Sequence, residues 1–161
     1  MMTGSRIADI HAYFFNENNL PSNDEIVKCY EDNRLIIDSA NVDSQSYEQV
    51  LRIKCEYCYA LNELKQYKKA LSNIIEVEPM FSTIYSTEDS KFGNAFYIKL
   101  IWNRMLSNFH NYDYANCVYD IKNLLKYFPE NVIYQKWDLV IKSKIRRGKF
   151  INGFYKLLKI K

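Results

Sequence analysis

Residues 102–129 read WNRMLSNFHNYDYANCVYDIKNLLKYFP, and this stretch decides the fold. Its first half places apolar side chains at i, i+3, i+4 and i+7, which is one face of a helix. These side chains are Trp102, Met105, Leu106 and Phe109. After a break at 111–113, a second apolar stripe with helical spacing leads to Pro129; it consists of Tyr114, Cys117, Ile121 and Leu124. We therefore predict two amphipathic helices joined by a short turn, which is a helical hairpin.

The same pattern recurs near the end of the chain. Trp137 follows Trp102 by 35 residues, and Val140 and Ile141 repeat the first stripe. Gly148 marks a second turn, after which the second stripe is repeated by Phe150, Gly153, Leu157 and Ile160. A period of this length is the size of one supersecondary unit, so we predict a further hairpin here.

An earlier copy of the pattern precedes these two. Ser46 and Gln49 have the spacing of a capping box, which predicts a helix over about 47–64. The partner helix ends at Pro79 and carries the stripe Tyr67, Ala70, Ile74 and Val77.

Residues 80–94, MFSTIYSTEDSKFGN, separate this copy from the next. Their Ser, Thr, Asp and Gly content predicts an insertion loop. Its apolar side chains either contact a partner or pack onto the hairpins; they are Phe81, Ile84, Tyr85 and Phe92.

Residues 1–46 precede the clear copies and are predicted to form a helical pair. Apolar residues have helical spacing over about 6–15. Ser22 and Glu25 form a capping box that opens a second helix, which runs to about Ala40. The pair is either a degenerate first repeat or a cap, because a repeat array must cover the apolar face at its end.

The copies resemble the tetratricopeptide repeat, whose signature is W-x2-L-G-x2-Y, then a small residue, x3, a bulky residue, and later Pro. The clearest copy matches it with Trp102, Met105, Leu106, Phe109, Cys117, Ile121 and Pro129. The last copy departs from it, with Lys144 at the Tyr position and no closing Pro. The resemblance implies an all-α superhelix of antiparallel hairpins, with residues 47–161 forming three of them.

The resemblance also implies where a partner binds, since the first helix of each hairpin in this family lines a concave groove. The matching residues are Arg52, Cys55, Tyr59, Asn62, Asn103, Arg104, Ser107, His110, Asp138, Lys142, Ile145 and Arg146. This polar, modestly basic set suits a protein or peptide segment with acidic or carbonyl groups. We therefore predict a non-enzymatic scaffold or adaptor. The alternative is a specific inhibitor or immunity-type protein that neutralises one partner enzyme.

Basic residues are concentrated at the end of the chain. From position 136 onward there are nine Lys or Arg residues and one acidic residue, Asp138. They form either a solvated helix face or a surface for an acidic partner or nucleic acid. Nucleic-acid binding is the further alternative function, although no basic groove interleaved with aromatic residues supports it.

Three apolar residues in the final predicted helix lie off its inward stripe: Ile151, Phe154 and Leu158. Leaving such side chains in water is unfavourable by about 1.5 to 3 kcal/mol each. We predict a homodimer or partner interface at this helix. The alternatives are that the N-terminal segment covers it or that the helix frays.

The residues that could carry chemistry do not form a recognisable site. Cys55 and Cys58 make a CxxC, but it lies in mid-helix and has no second CxxC to complete a zinc site. His11 and His110 are isolated, and the Gly residues form no phosphate loop. We therefore predict no enzymatic activity, no cofactor and no metal. Four Cys without a dense framework, and no apolar run of about 20 residues, indicate a soluble cytoplasmic protein.

Overall fold

The structure, a computed structural model, describes residues 3–39 and 44–158, with side chains over 6–39 and 46–148. Within these residues the chain forms nine α-helices and no strand, so the all-α prediction is confirmed. The helices are α1 (Thr3–Phe14), α2 (Asn23–Asp32), α3 (Arg34–Asp38), α4 (Ser44–Glu63), α5 (Tyr67–Ile84), α6 (Glu88–Phe92), α7 (Ala95–His110), α8 (Tyr114–Tyr127) and α9 (Val132–Leu158). None of the described helices is long and apolar enough to cross a membrane.

The N-terminal helices form as the sequence predicts, apart from one break. The capping box at the start of α2 is present: the Glu25 N–H donates to Ser22 Oγ, and the Ser22 N–H donates to the Glu25 carboxylate at 2.8 Å. The predicted second helix is divided at Asn33, whose side-chain amide donates to the Cys29 carbonyl at 2.8 Å. Helices α1 to α3 share a core with one face of α4, in which Tyr30 stacks on Tyr57 at 3.8 Å.

The hairpins α4–α5 and α7–α8 have the same turn. Lys65 and Tyr112, 47 residues apart, adopt positive φ angles of 60° and 64°. In each turn the next residue donates its N–H to the carbonyl five residues earlier, at 2.8 and 2.9 Å. This is the hydrogen bond of a Schellman motif, in which Gly is the usual residue at the positive-φ position. The two hairpins are therefore structural copies at the helix-to-helix turn.

The prediction of a last hairpin is wrong. Helix α9 is continuous from Val132 to Leu158 and passes through Gly148 without a turn. A Gly inside a helix costs about 1 kcal/mol relative to Ala, which weakens the helix without ending it. In the part of the chain that the structure describes, two hairpins of this kind are thus followed by one long helix. The first halves of the two sequence copies still meet, because Trp102 contacts Trp137 edge to face at 5.9 Å.

The expected loop at 80–94 is also largely helical. Helix α5 continues through Pro79 to Ile84, and α6 covers Glu88–Phe92. Pro79 lies on the exposed side of α5, whereas Phe81 continues the buried stripe and is fully buried. Burial of that aromatic ring outweighs the hydrogen bond that the proline removes. Phe81 and Phe92 both pack against Tyr97. Of the two alternatives for these side chains, contact with a partner or packing onto the hairpins, the structure shows packing.

The start of α4 differs from the prediction as well. The helix begins at Ser44, so Ser46 lies inside its first turn and not at its cap. Helix α4 separates two cores, because its residues face α1–α3 on one side and α5–α8 on the other. Tyr57 belongs to the first core and Cys58 to the second.

Replacing Lys65 with Gly is expected to stabilise the fold. A left-handed conformation costs a residue with a Cβ about 1–2 kcal/mol, and the greater unfolded-state freedom of Gly offsets about 0.5–1 kcal/mol of that gain. Urea unfolding followed by circular dichroism should show a free energy of unfolding about 0.5–1 kcal/mol higher for Lys65→Gly. Lys65→Ala keeps the strained φ and should show no such gain. Equal stabilities for the Gly and Ala variants would contradict the strain.

Candidate functional site

Four of the residues predicted to line a concave groove are buried between helices: Cys55, Asn62, Asn103 and Ser107. The three polar ones form a network between α4 and α7. Ser107 donates to the side-chain oxygen of Asn62 at 2.8 Å, and the Asn62 amide donates to the side-chain and backbone oxygens of Asn103 at 3.1 Å. Asn103 in turn donates to the Lys99 carbonyl at 2.7 Å. These residues hold two helices together and present little to a partner.

Arg104, also predicted for the groove, is directed toward α5 and α8. Its guanidinium donates to the Asp120 carboxylate at 2.6 and 3.0 Å and pairs with Glu78. The Asp120 side chain is only 1% exposed, and its burial raises the pKa of the carboxyl, against the opposing effect of the Arg104 hydrogen bonds. Charge-assisted bonds of this geometry are strong and directional. Arg104 therefore fixes three helices relative to one another.

The other predicted groove residues of α4, Arg52 and Tyr59, are partly exposed, and each contacts a charged side chain. Arg52 pairs with Glu48 at 2.7 Å. The Tyr59 ring lies 3.8 Å from the ammonium of Lys99, which also bonds Glu56 at 2.8 Å.

The predicted groove residues of α9 differ in exposure. Asp138 and Lys142 pair with each other at 2.5 Å, Ile145 packs partly buried against the core, and Arg146 is exposed. The predicted interface lies outside the residues whose side chains the structure describes; it consists of Ile151, Phe154 and Leu158.

A cleft that the sequence did not reveal runs between α5 and the α7–α8 hairpin; we call it the turn cleft. It comprises three adjoining cavities of about 670, 370 and 410 Å³. The first shares Leu71, Ile75 and Asp113 with the second, and shares Lys68 and Asn111 with the third. The two hairpin turns thus contribute to one continuous surface.

One end of the turn cleft carries two large exposed side chains, Ile75 and Tyr119, among polar and charged residues. Ile75 on α5 is 60% exposed and Tyr119 on α8 is 62% exposed, and both line the cavity of about 370 Å³. Arg104 and Asp120 line the same cavity, so Ile75 and Tyr119 share it with the buried ion pair. Large apolar side chains that converge on a concave surface are typical of binding sites.

The other end of the turn cleft lies at the two turns and is polar. His110, the predicted groove residue at the end of α7, stacks on Tyr67 of α5 at 4.0 Å and so joins the two hairpins. The side-chain nitrogen of Asn111 is buried and has no hydrogen-bond partner in the described part of the chain. Asp113 accepts hydrogen bonds from the backbone and side chain of Asn116, at 3.2 and 2.7 Å. The Asn111 nitrogen is therefore an unpaired donor without solvent contact, whereas Asp113 is engaged in capping α8.

The cysteines occupy packed positions. Cys55, Cys58 and Cys117 are buried, and desolvation raises the pKa of the Cys58 and Cys117 thiols to about 12 and that of Cys55 well above its ordinary value. These thiols stay protonated at neutral pH, and the thiolate is the reactive form. Among residues 3–39 and 44–158, no group of three or more His, Cys, Asp or Glu residues could hold a metal ion.

Comparison with known proteins finds no matching family model, no matching curated protein and no matching solved structure. The function is therefore inferred from the side chains that line the surfaces described above.

Thiol reactivity should follow burial. At pH 7.5 we expect a disulfide reagent to modify only the half-buried Cys29 in the folded chain and all four cysteines after unfolding in urea. The pKa of Cys29 is also raised by burial, so even this reaction should be slow. The chromophore released over time gives the number of cysteines that react in the folded chain and in the unfolded chain. Rapid modification of Cys55 or Cys58 in the folded chain would contradict a purely structural role for the CxxC.

Removing one partner of the buried Arg104–Asp120 ion pair should lower the free energy of unfolding, whereas replacing both partners with apolar residues should largely preserve it. Arg104→Met leaves the Asp120 carboxylate buried without its partner, and we expect a loss of about 3–5 kcal/mol in the free energy of unfolding. The double variant Arg104→Met with Asp120→Leu removes both charges and should recover most of that loss. Urea unfolding measures all three proteins. A double variant no more stable than the single one would show that the pair is not coupled as described.

Proposed function

We propose that the protein is a non-enzymatic scaffold that binds a segment of a protein partner, with the turn cleft as the binding surface. The observation that carries this proposal is the convergence of exposed Ile75 and Tyr119 with an unpartnered buried donor, Asn111, along one cleft. Covering one such apolar side chain contributes about 1.5–3 kcal/mol. A bound segment gains from apolar contact at one end, and from hydrogen bonding at the other when the Asn111 side chain turns toward the cleft.

The rigidity of the cleft walls supports the same function. Arg104 ties α5, α7 and α8 together through carboxylates on α5 and α8. The stacking of His110 on Tyr67 joins the far end of the cleft. A surface held in place before binding loses little conformational entropy when a partner docks.

A tetratricopeptide-like superhelix is part of this proposal. It is supported by the two hairpins with equivalent turns and by the contact between Trp102 and Trp137. The concave surface implied by that resemblance is the second candidate surface of the scaffold. Its Arg52 and Lys142 already pair with carboxylates of their own helices, whereas the turn cleft carries two large exposed side chains, Ile75 and Tyr119. We therefore place the primary site in the cleft.

Substitutions in the cleft should abolish capture of the partner without unfolding the chain. Ile75→Glu combined with Tyr119→Ser alters two exposed side chains, so the fold should persist. The matched control is Ile133→Glu with Leu139→Ser, which alters two equally exposed apolar residues on α9. We expect the wild type and the control to capture the same stoichiometric protein from native cell lysate, and the cleft variant to lose it.

The captured proteins are identified by mass spectrometry. Capture is carried out at low and high salt, with and without nuclease. Equal capture by the cleft variant and the control would contradict the proposal. Recovery of nucleic acid that disappears at high salt would favour the alternative function. That alternative is supported by the exposed basic residues of α9, which include Lys136, Lys144, Arg146 and Arg147.

A further inference from the structure

We propose that the turn cleft recognises an acidic peptide segment, with an Asp or Glu carboxylate at the turn end and an apolar side chain against Ile75 and Tyr119. This inference rests on the proposed function and specifies the chemistry of the partner. It joins two observations at the turn end of the cleft, an unpartnered amide donor and an excess of positive charge.

The amide of Asn111 requires an acceptor. Asn111 lines both the cavity of about 670 Å³ and that of about 410 Å³, and its buried side-chain nitrogen has no acceptor within the described residues. Buried polar groups in folded proteins are almost always paired, and an exception calls for an explanation. An N–H donor is satisfied by oxygen, so the missing group is a carboxylate or a carbonyl of a ligand.

The surrounding charge favours the carboxylate. Three lysines and no acidic residue line the cavity of about 410 Å³: Lys65, Lys68 and Lys69. Lys69 pairs with Glu31, while Lys65 and Lys68 are exposed. Asp113 lines the neighbouring cavity, but its carboxylate oxygens accept the hydrogen bonds that cap α8. A ligand carboxylate beside Asn111 therefore meets the two cations Lys65 and Lys68, and it reaches the amide donor when the Asn111 side chain turns toward the cavity.

The spacing along α5 sets the length of the recognised segment. Lys68 and Ile75 are seven residues apart on the same helix, which corresponds to about 10 Å at the usual rise of an α-helix. An extended peptide covers that distance in about three residues. The cleft is therefore suited to an acidic residue with an apolar residue three positions away.

Selection from a random 12-residue peptide library displayed on phage, with the full chain as bait, tests this inference. We expect enriched peptides that carry Asp or Glu three positions from an apolar residue. Synthetic versions of these peptides, measured by fluorescence anisotropy, should bind Asn111→Asp and Lys68→Glu at least about tenfold more weakly than the wild type. Asn111→Asp preserves shape while it replaces the donor with a negative charge.

Two controls make the result specific. Lys122→Glu makes the same charge change at an exposed residue of α8 that does not line the described cavities, and it should leave affinity unchanged. A peptide with Lys in place of its acidic residue should bind Lys68→Glu better than it binds the wild type. Circular dichroism of each variant establishes that it remains folded.

The outcomes separate this inference from the proposed function. Selected peptides that lose binding to the Ile75→Glu, Tyr119→Ser variant but carry no acidic residue would overturn the inference and leave the cleft as a peptide site. Peptides that bind the wild type and the Ile75→Glu, Tyr119→Ser variant equally would overturn both the inference and the proposed function. A selection that enriches no peptide would do the same. Displacement of bound peptide by a single-stranded oligonucleotide that binds more tightly would replace the acidic segment with nucleic acid as the ligand.

Discussion

Burial of α4 on both of its faces is the constraint on which the rest of the structure depends. Tyr57 and Cys58 are neighbours in sequence, yet each is at most 2% exposed and each belongs to a different core. A helix buried in this way needs partners on both sides. Helices α1 to α3 cover one side, and α5 and α7 cover the other, so the N-terminal helices are part of the fold and not an appendage.

The same architecture creates the turn cleft. Because α4–α5 and α7–α8 turn in the same way, residues from both turns come to line a common cavity. Tyr67 follows the first turn and stacks on His110, which precedes the second. Arg104 then links α5 to α8, because it pairs with a carboxylate on each helix. The cleft is thus a consequence of packing two equivalent hairpins side by side, and its walls are as rigid as that packing.

Periodicity predicted the all-α class and two of the three hairpins, α4–α5 and α7–α8, and local hydrogen-bonding residues predicted the cap of α2. Two residues of types that usually end helices led to wrong predictions of helix ends. Pro79 lies on an exposed face where its missing hydrogen bond is tolerated, and Gly148 lies in a helix that continues past it. Both residues weaken a helix, but whether the helix ends there depends on what the following residues bury, as Phe81 demonstrates.

The candidate site was harder to predict for a different reason. A helical pattern separates an apolar stripe from a polar face, and it assigns the polar face to solvent. Asn62, Asn103 and Ser107 lie on such a face but bond one another between α4 and α7. The free donor in the turn cleft depends on how two distant turns pack together, and no spacing within either turn reveals it. These features follow from tertiary contacts and not from the local pattern.

The central claim is that a partner segment occupies the turn cleft. A nuclear magnetic resonance titration of the isotopically labelled chain with a selected peptide tests it most directly. The account predicts that the largest shifts occur at the side-chain amide of Asn111 and at the backbone amides of residues 68–75, and that the exposed face of α9 is unaffected. Shifts confined to α9, or to the inner surface around Tyr59 and Arg52, would contradict the account and move the binding site to that surface.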